Sequence, residues 1–238
     1  MIHVEAADIR ARILTVLYGH LPAREMLAAL LRDEYRGRLA LVSSFGAESA
    51  VLLHMVSEID PATPVIFLDT GKLFGETRRY RDELVDRLGL TGIRNVQPNP
   101  ERERQLDPDG VLWANSADSC CFLRKVEPLS MALADFDAWI TGRKAYQGDK
   151  RSDLRVFEAS AGHVKVNPLA RWRKSDIDDY FVRHALPRHP LEQDGYVSIG
   201  CMPCTDRVED GEDGRAGRWR GQEKTECGIH LSPPRSAG

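Results

Sequence analysis

Five cysteines carry most of the chemistry legible in this 238-residue chain. Cys120 and Cys121 are adjacent, Cys201 and Cys204 are spaced Cys-x-x-Cys, and Cys227 stands alone near the C-terminus. An odd count argues against a disulfide framework. Four thiolates can hold a tetrahedral zinc or an iron–sulfur cluster. A vicinal pair cannot easily place both sulfurs on one small ion across a planar trans peptide, whereas a cluster offers separate irons. On spacing alone a cluster, a zinc ion and unrelated buried thiols all stay open. Lys125 lies four residues after Cys121, on the same face of an expected helix. The negative field of four thiolates could aim it at a substrate anion; a solvated surface lysine is the plainer reading.

Cys227 poses a different question. A thiol of ordinary pKa, about 8.5, is only a few per cent thiolate at neutral pH, and nearby cations raise that fraction. Arg215, Arg218, Arg220 and Lys224 precede it, and His230 follows. Such a cysteine could swing over an anionic substrate and later meet a partner. An incidental cysteine in a disordered tail is the competing view.

These groups need a scaffold. Apolar residues recur at helical spacing from Ala23 to Tyr35, and Leu39 to Val42 reads as a buried strand. A helix follows the turn Ser43-Ser44-Phe45-Gly46-Ala47-Glu48-Ser49. Pro64 to Leu68 is a second strand, Phe74 to Leu88 a helix, and Gly92 to Gln97 a third strand. Asp137 to Thr141 is a later strand, and Lys165 to Leu169 a short extended segment. Lys174 to His184 reads as a helix capped by Ser175, with Asp178 three residues on. Beyond Pro190 the chain should be irregular, with no core of its own. Alternating strands and helices predict an α/β fold, mostly a parallel sheet with helices on both faces.

Two turns close strands where ligands of open α/β sheets bind. The first holds Ser44, Gly46 and Ser49, the second Asp69 and Thr70. Small residues and helix-start N–H groups suit an anion, although a simple helix cap explains the first turn too. Neither turn is a Walker A loop or a dinucleotide fingerprint.

Composition narrows the class. The chain is 42% hydrophobic with net charge −3, which excludes a globally basic nucleic-acid binder. No apolar run approaches the ~20 residues that span a bilayer. The first residues lack a basic start followed by an apolar stretch, so no secretory signal and a cytoplasmic address are expected. One domain over 1–238 is predicted, with 205–238 a mobile C-terminal tail that carries Cys227.

Taken together, these blocks resemble the assimilatory adenylyl-sulfate and phosphoadenylyl-sulfate reductases, from about Leu39 to Leu231. The blocks are Ser43–Ser49, Leu68–Phe74, Cys120–Lys125, Gly200–Cys204 and Lys224–His230; Arg143-Lys144-Ala145-Tyr146-Gln147 matches more loosely. The resemblance implies an adenine nucleotide α-hydrolase-like fold. It further implies a [4Fe-4S] cluster on Cys120, Cys121, Cys201 and Cys204 that is not itself the electron donor. Cys227 becomes the nucleophile that turns adenylyl sulfate into AMP and sulfite, with reduced thioredoxin or glutaredoxin as partner. Lys125, Arg143, Arg215 and Arg218 are then expected on phosphate and sulfate oxygens, His230 as a further donor near the nucleophile, and Ser44, Gly46, Ser49, Asp69 and Thr70 around the adenosine and its phosphate. The 3′-phosphorylated nucleotide is the alternative substrate. A zinc-containing nucleotide-activating transferase and a non-enzymatic iron–sulfur sensor are the competing functions. Self-association into a homo-oligomer is left open.

Overall fold

The computed structural model describes residues 2–148, 151–209 and 211–230. Leu231, and with it the last part of the expected tail to residue 238, lies outside the described residues. Two helices open the chain, α1 (Ile2–Tyr18) and α2 (Ala23–Ala29), the latter continued by a π-helical turn over Leu30–Glu34. Then β1 (Leu39–Ser43), α3 (Ser49–Ile59), β2 (Val65–Leu68), α4 (Gly75–Leu88) and β3 (Ile93–Val96) alternate. Four short helices follow: α5 (Pro100–Leu106), α6 (Leu112–Asn115), α7 (Ala117–Cys121) and α8 (Glu127–Ala132). The chain returns to the sheet with β4 (Ala138–Ile140), β5 (Phe157–Ser160) and β6 (His163–Val166), and α9 (Lys174–Arg183) comes last.

The six strands form one sheet in the order β3-β2-β1-β4-β6-β5. Every neighbouring pair is parallel except β5 with β6. Side chains alternate between the two faces of each strand. Leu39, Leu41, Val65, Phe67, Ile140 and Val166 therefore share a large core with α2, α3, α4 and α9. Ala40, Ile66 and Trp139 face the other way, onto Leu129 and Leu133 of the α8 region.

The predicted strands and helices are found close to their expected limits; α5 and α6 carried no prediction, and four further differences stand out. Helix α1 was not foreseen; Ala11 and Leu14 bury one face, while Ile9, Ile13, Val16 and Leu17 stay exposed and blur its period. The extended segment at Lys165 is the end of β6, and its antiparallel partner β5 carried no signal of its own. Helix α9 begins one residue before Ser175. Its N-cap is Arg173, whose backbone N–H donates to Asp176 at 2.7 Å, so Asp176 and not Asp178 closes the cap. The segment after Pro190 is irregular as expected, but it does build a small core, in which buried Trp219 packs with Cys201, Cys204 and Cys227.

The strand order reverses between β1 and β4: β2 and β3 lie on one side of β1, and β4, β6 and β5 on the other. Loops leaving the carboxyl ends of β1 and β4 must then part in opposite directions and leave a crevice. The first loop turns sharply. Phe45 takes a φ of +49°, held there by full burial and an edge-on contact with Phe67.

Leu53 is fully buried where α3 meets the sheet. Leu53→Ala is expected to cost about 2–5 kcal/mol, the usual range for such a truncation. Urea unfolding of the two proteins should show a lower midpoint at unchanged slope.

Candidate active site

Cys120 and Cys121 end α7, a helix that starts under the Ser116 side chain, which accepts the Ser119 N–H. The next turn, Phe122–Val126, is π-helical, a widening often found at functional sites. It releases Arg124 and Lys125 in different directions. Arg124 is buried and salt-bridged to Asp107 at 2.5 Å and Glu103 at 2.7 Å, and it donates to the Thr70 carbonyl at 2.8 Å. Cys201 and Cys204 flank a 3-10 turn, and the Met202 N–H ties that turn to the Lys72 carbonyl. All four cysteines border one small void, with Arg124, Lys125 and Trp219 among its other walls.

The donor set suits a cluster. The four thiols are buried and none is in a disulfide. Among the described residues, no three ligating side chains converge as one small ion would require. The cysteines surround a space instead, and cations on its walls could offset the charge of four thiolates. Burial pushes the Cys120 thiol up to about 11 and also raises Cys204. A bound metal would reverse that cost, because a coordinating thiol is deprotonated outright.

Beside this void opens a cavity of about 430 Å³ at the β1/β4 switch point. The two are one indole apart, since Trp219 lines both. Ser43, Ser44, Gly46 and Ser49 form one wall, the Gly142–Gln147 turn after β4 another, and Cys227 with His230 the end. Of the expected site residues, the structure thus brings together Ser44, Gly46, Ser49, Lys125, Arg143, Arg215, Arg218, Cys227 and His230. Gly200 is part of this assembly: a Cβ there would stand 2.3 Å from the Arg218 guanidinium.

Asp69 and Thr70, expected around the adenosine and its phosphate, do not line the cavity. They follow β2, one strand away from the switch point. Asp69 accepts from Arg78 at 2.9 Å, and Thr70 Oγ1 lies 3.3 Å from Cys201 Sγ. Both serve the turn that supports the cysteine void.

The cavity's charges are unevenly balanced. Arg143 is salt-bridged to Glu158, Lys144 to Glu48 at 2.6 Å and Arg151 to Glu226 at 2.7 Å. Arg215 shares Glu226 at 3.3 Å. Burial and then Arg151 lower the Arg215 pKa to about 10. Lys125 and Arg218 have no carboxylate in salt-bridge range among the described residues. Burial weakens the Lys125 charge, but the neighbouring sulfurs of Cys201, Cys227 and Cys121 more than restore it. Arg218 lies over the Trp219 ring at 4.5 Å. Burial and then Lys165 hold His230 neutral, and its Nδ1 is buried without a hydrogen-bond partner among the described residues.

Cys227 is 9% exposed. In the metal-free chain the Cys121 thiol lowers its pKa most, a contribution that would be lost with Cys121 as a metal ligand; Lys125, the Ile229 N–H and Arg218 lower it in either state, against the effect of burial. Cys121 moves the opposite way for the same reason.

Sequence reasoning assigned no role to Glu48, Lys144, Arg151 or Glu226. Glu48, Lys144 and Glu226 sat inside quoted blocks, next to residues that drew attention. Arg151 sat in no motif, and only the fold brings it to Glu226. Lys165 was also missed. It is buried against the Trp139 ring at 4.8 Å, and burial followed by Arg143 lowers its pKa to about 8.

Known proteins are similar to this chain. The chain is 51% identical to the adenosine 5′-phosphosulfate reductase of Mesorhizobium japonicum, over 97% of this chain and 92% of that protein. It is 41% identical to the phosphoadenosine 5′-phosphosulfate reductase of Gloeobacter violaceus, over 81% and 82%. The crystal structure of phosphoadenylyl-sulfate reductase from Candida auris, a phosphate complex, superposes with a TM-score of 0.67 at 26% identity, covering 83% of this chain and 96% of that one. A Candida glabrata FMN adenylyltransferase shares the fold, with a TM-score of 0.54 at 15% identity, 92% of this chain and 86% of that one. Residues 38–207 match the phosphoadenosine phosphosulfate reductase domain, and the chain belongs to that family.

Proposed function

We propose that this protein reduces adenylyl sulfate to sulfite and AMP, with Cys227 as nucleophile. The observation that carries this is the place of Cys227. It lies at the end of a nucleotide-sized cavity, facing two cations, Lys125 and Arg218, that pair with no carboxylate among the described residues. The reductases named among its relatives support the same reaction.

The Cys227 thiolate attacks the sulfur of the phosphosulfate anhydride. A new S–S bond forms while the S–O bond to the phosphate breaks, and AMP leaves with the electron pair. The product is a Cys227 S-sulfonate. A thiolate of a reduced dithiol partner, thioredoxin or glutaredoxin, then attacks Cys227 Sγ and expels sulfite. Its second thiol resolves the mixed disulfide, so the partner leaves oxidised and Cys227 is again a thiol.

Each charged group has a task in this scheme. Lys125 and Arg218 offset the anionic oxygens of sulfate and phosphate. Each such hydrogen bond supplies roughly 1.5–3 kcal/mol once water is excluded. Arg143 and Arg215 are committed in part to Glu158 and Glu226, and contribute less. Neutral His230 donates a hydrogen bond without adding charge. Cys120, Cys121, Cys201 and Cys204 would hold the [4Fe-4S] cluster, whose negative charge keeps Lys125 directed at the site. We place the enzyme in the cytoplasm, where a reduced dithiol is at hand; among the described residues no helix is long and apolar enough to cross a membrane.

Glu226 positions the nucleophile. Its carboxylate accepts two hydrogen bonds from Arg151, at 2.7 and 2.8 Å, and the Cys227 backbone N–H at 3.0 Å. Both side chains are about nine-tenths buried. Removing one partner of a buried pair costs about 3–5 kcal/mol. Arg151→Ala should fall near 3, because Arg215 still reaches Glu226. Charged to the opening of the C-terminal segment alone, that is on the order of a hundredfold. Iodoacetamide labelling of residue 227 should accelerate accordingly, read by mass spectrometry.

The central test is Cys227→Ser. It should keep the visible absorption of the cluster and lose sulfite release, measured anaerobically with thioredoxin. Trapping the wild-type intermediate should place an added sulfo group on residue 227. Normal turnover by the variant, or a sulfo group elsewhere, would overturn the assignment.

A further inference from the structure

Two acidic side chains line the cavity, Glu226 beside Cys227 and Glu48 at the start of α3. They are joined through a relay of side chains. Glu48 accepts from Gln147 Nε2 at 2.8 Å, Gln147 Oε1 accepts from Arg151 at 2.7 Å, and Arg151 holds Glu226. Glu48 is therefore several side chains away from the nucleophile, on the wall formed by the first strand-to-helix turn. A nucleotide whose sulfur meets Cys227 and whose phosphate meets Lys125 and Arg218 must extend its ribose and base toward that wall.

Glu48 is fully engaged. Oε1 accepts from the Tyr146 hydroxyl at 2.6 Å, Oε2 is paired with Lys144 at 2.6 Å, and Lys174, itself bridged to Asp178 at 2.5 Å, stands 3.9 Å away. Burial opposes its charge, but Lys144 and Tyr146, with Lys174 behind them, hold its carboxyl below the ordinary range. The two lysines on this wall are thus already occupied. A second phosphate here would meet a carboxylate and find neither lysine free. Nicotinamide dinucleotide sites use the same logic, an acidic side chain where the ribose is bare and a cation where it is phosphorylated. Discrimination then comes from the cost imposed on the wrong ligand.

We propose that Glu48 is a specificity-determining residue that sets the preference for a nucleotide lacking a 3′-phosphate, by neutralising Lys144 and repelling added negative charge. This rests on the sulfonucleotide-reductase reading above.

The test compares kcat/KM for adenylyl sulfate and its 3′-phosphorylated form in the holoenzyme, for wild type, E48Q and K174E. Wild type should favour adenylyl sulfate. E48Q should move the ratio at least tenfold toward the 3′-phosphorylated nucleotide, and K174E, on a half-exposed residue, should move it the other way. Calorimetric binding of AMP and adenosine 3′,5′-bisphosphate should shift in parallel. A ratio within twofold of wild type in E48Q, or a wild type that prefers the 3′-phosphate, overturns the proposal. If E48Q does not fold, K174E decides: an unchanged ratio overturns it. If wild type releases sulfite from neither nucleotide, the reductase reading fails, and the binding ratios still decide the role of Glu48.

Discussion

On the proposed chemistry a thiolate meets a phosphosulfate, two anions that repel each other, and the rest of the site answers that constraint. Positive charge has to stand where the two anions meet, without collapsing onto carboxylates of the protein. The fold meets this by sorting its cations. Arg143, Lys144 and Arg151 are matched with Glu158, Glu48 and Glu226 and act as structure. Lys125 and Arg218 are kept apart from carboxylates by the cysteine turn on one side and the Trp219 ring on the other. The Lys125 charge is maintained by the neighbouring sulfurs, and on the proposed chemistry both cations stand where bonds would change.

That sorting depends on topology. The crevice exists because β4 joins the sheet on the far side of β1, which parts the loops that follow them. The wall of small residues after β1 and the basic turn after β4 are consequences of the same reversal. The cysteine turn reaches this crevice from the β2 side, through Thr70 and Lys72. Trp219 and Lys125 line both spaces and divide the cysteine void from the larger cavity.

The alternation of β1, α3, β2, α4 and β3 was legible in the sequence because each element is long enough to show its period. The paired cysteines, Cys227 and the arginines before it were legible because their residue types are rare or clustered. Helix α1 was not, since apolar residues on its exposed face hide the period. Nor was the pairing of Arg151 with Glu226, whose residues stand 75 positions apart and announce nothing alone. Asp69 and Thr70 misled because the end of a strand marks a ligand site only beside the switch point. Which strand lies beside it is a property of strand order, and strand order is not written in any one segment.

The burial of Cys227 has a kinetic meaning. A sulfur walled in by Trp219, Cys201 and Cys204 is out of reach of a folded protein's active-site dithiol. On the proposed chemistry, nucleotide and protein reductant then take turns at one atom, the first in a sealed chamber and the second only after it is unsealed. Such alternation gives ping-pong kinetics, with parallel lines in double-reciprocal plots. It also shelters the resting thiol from stray oxidants between turnovers.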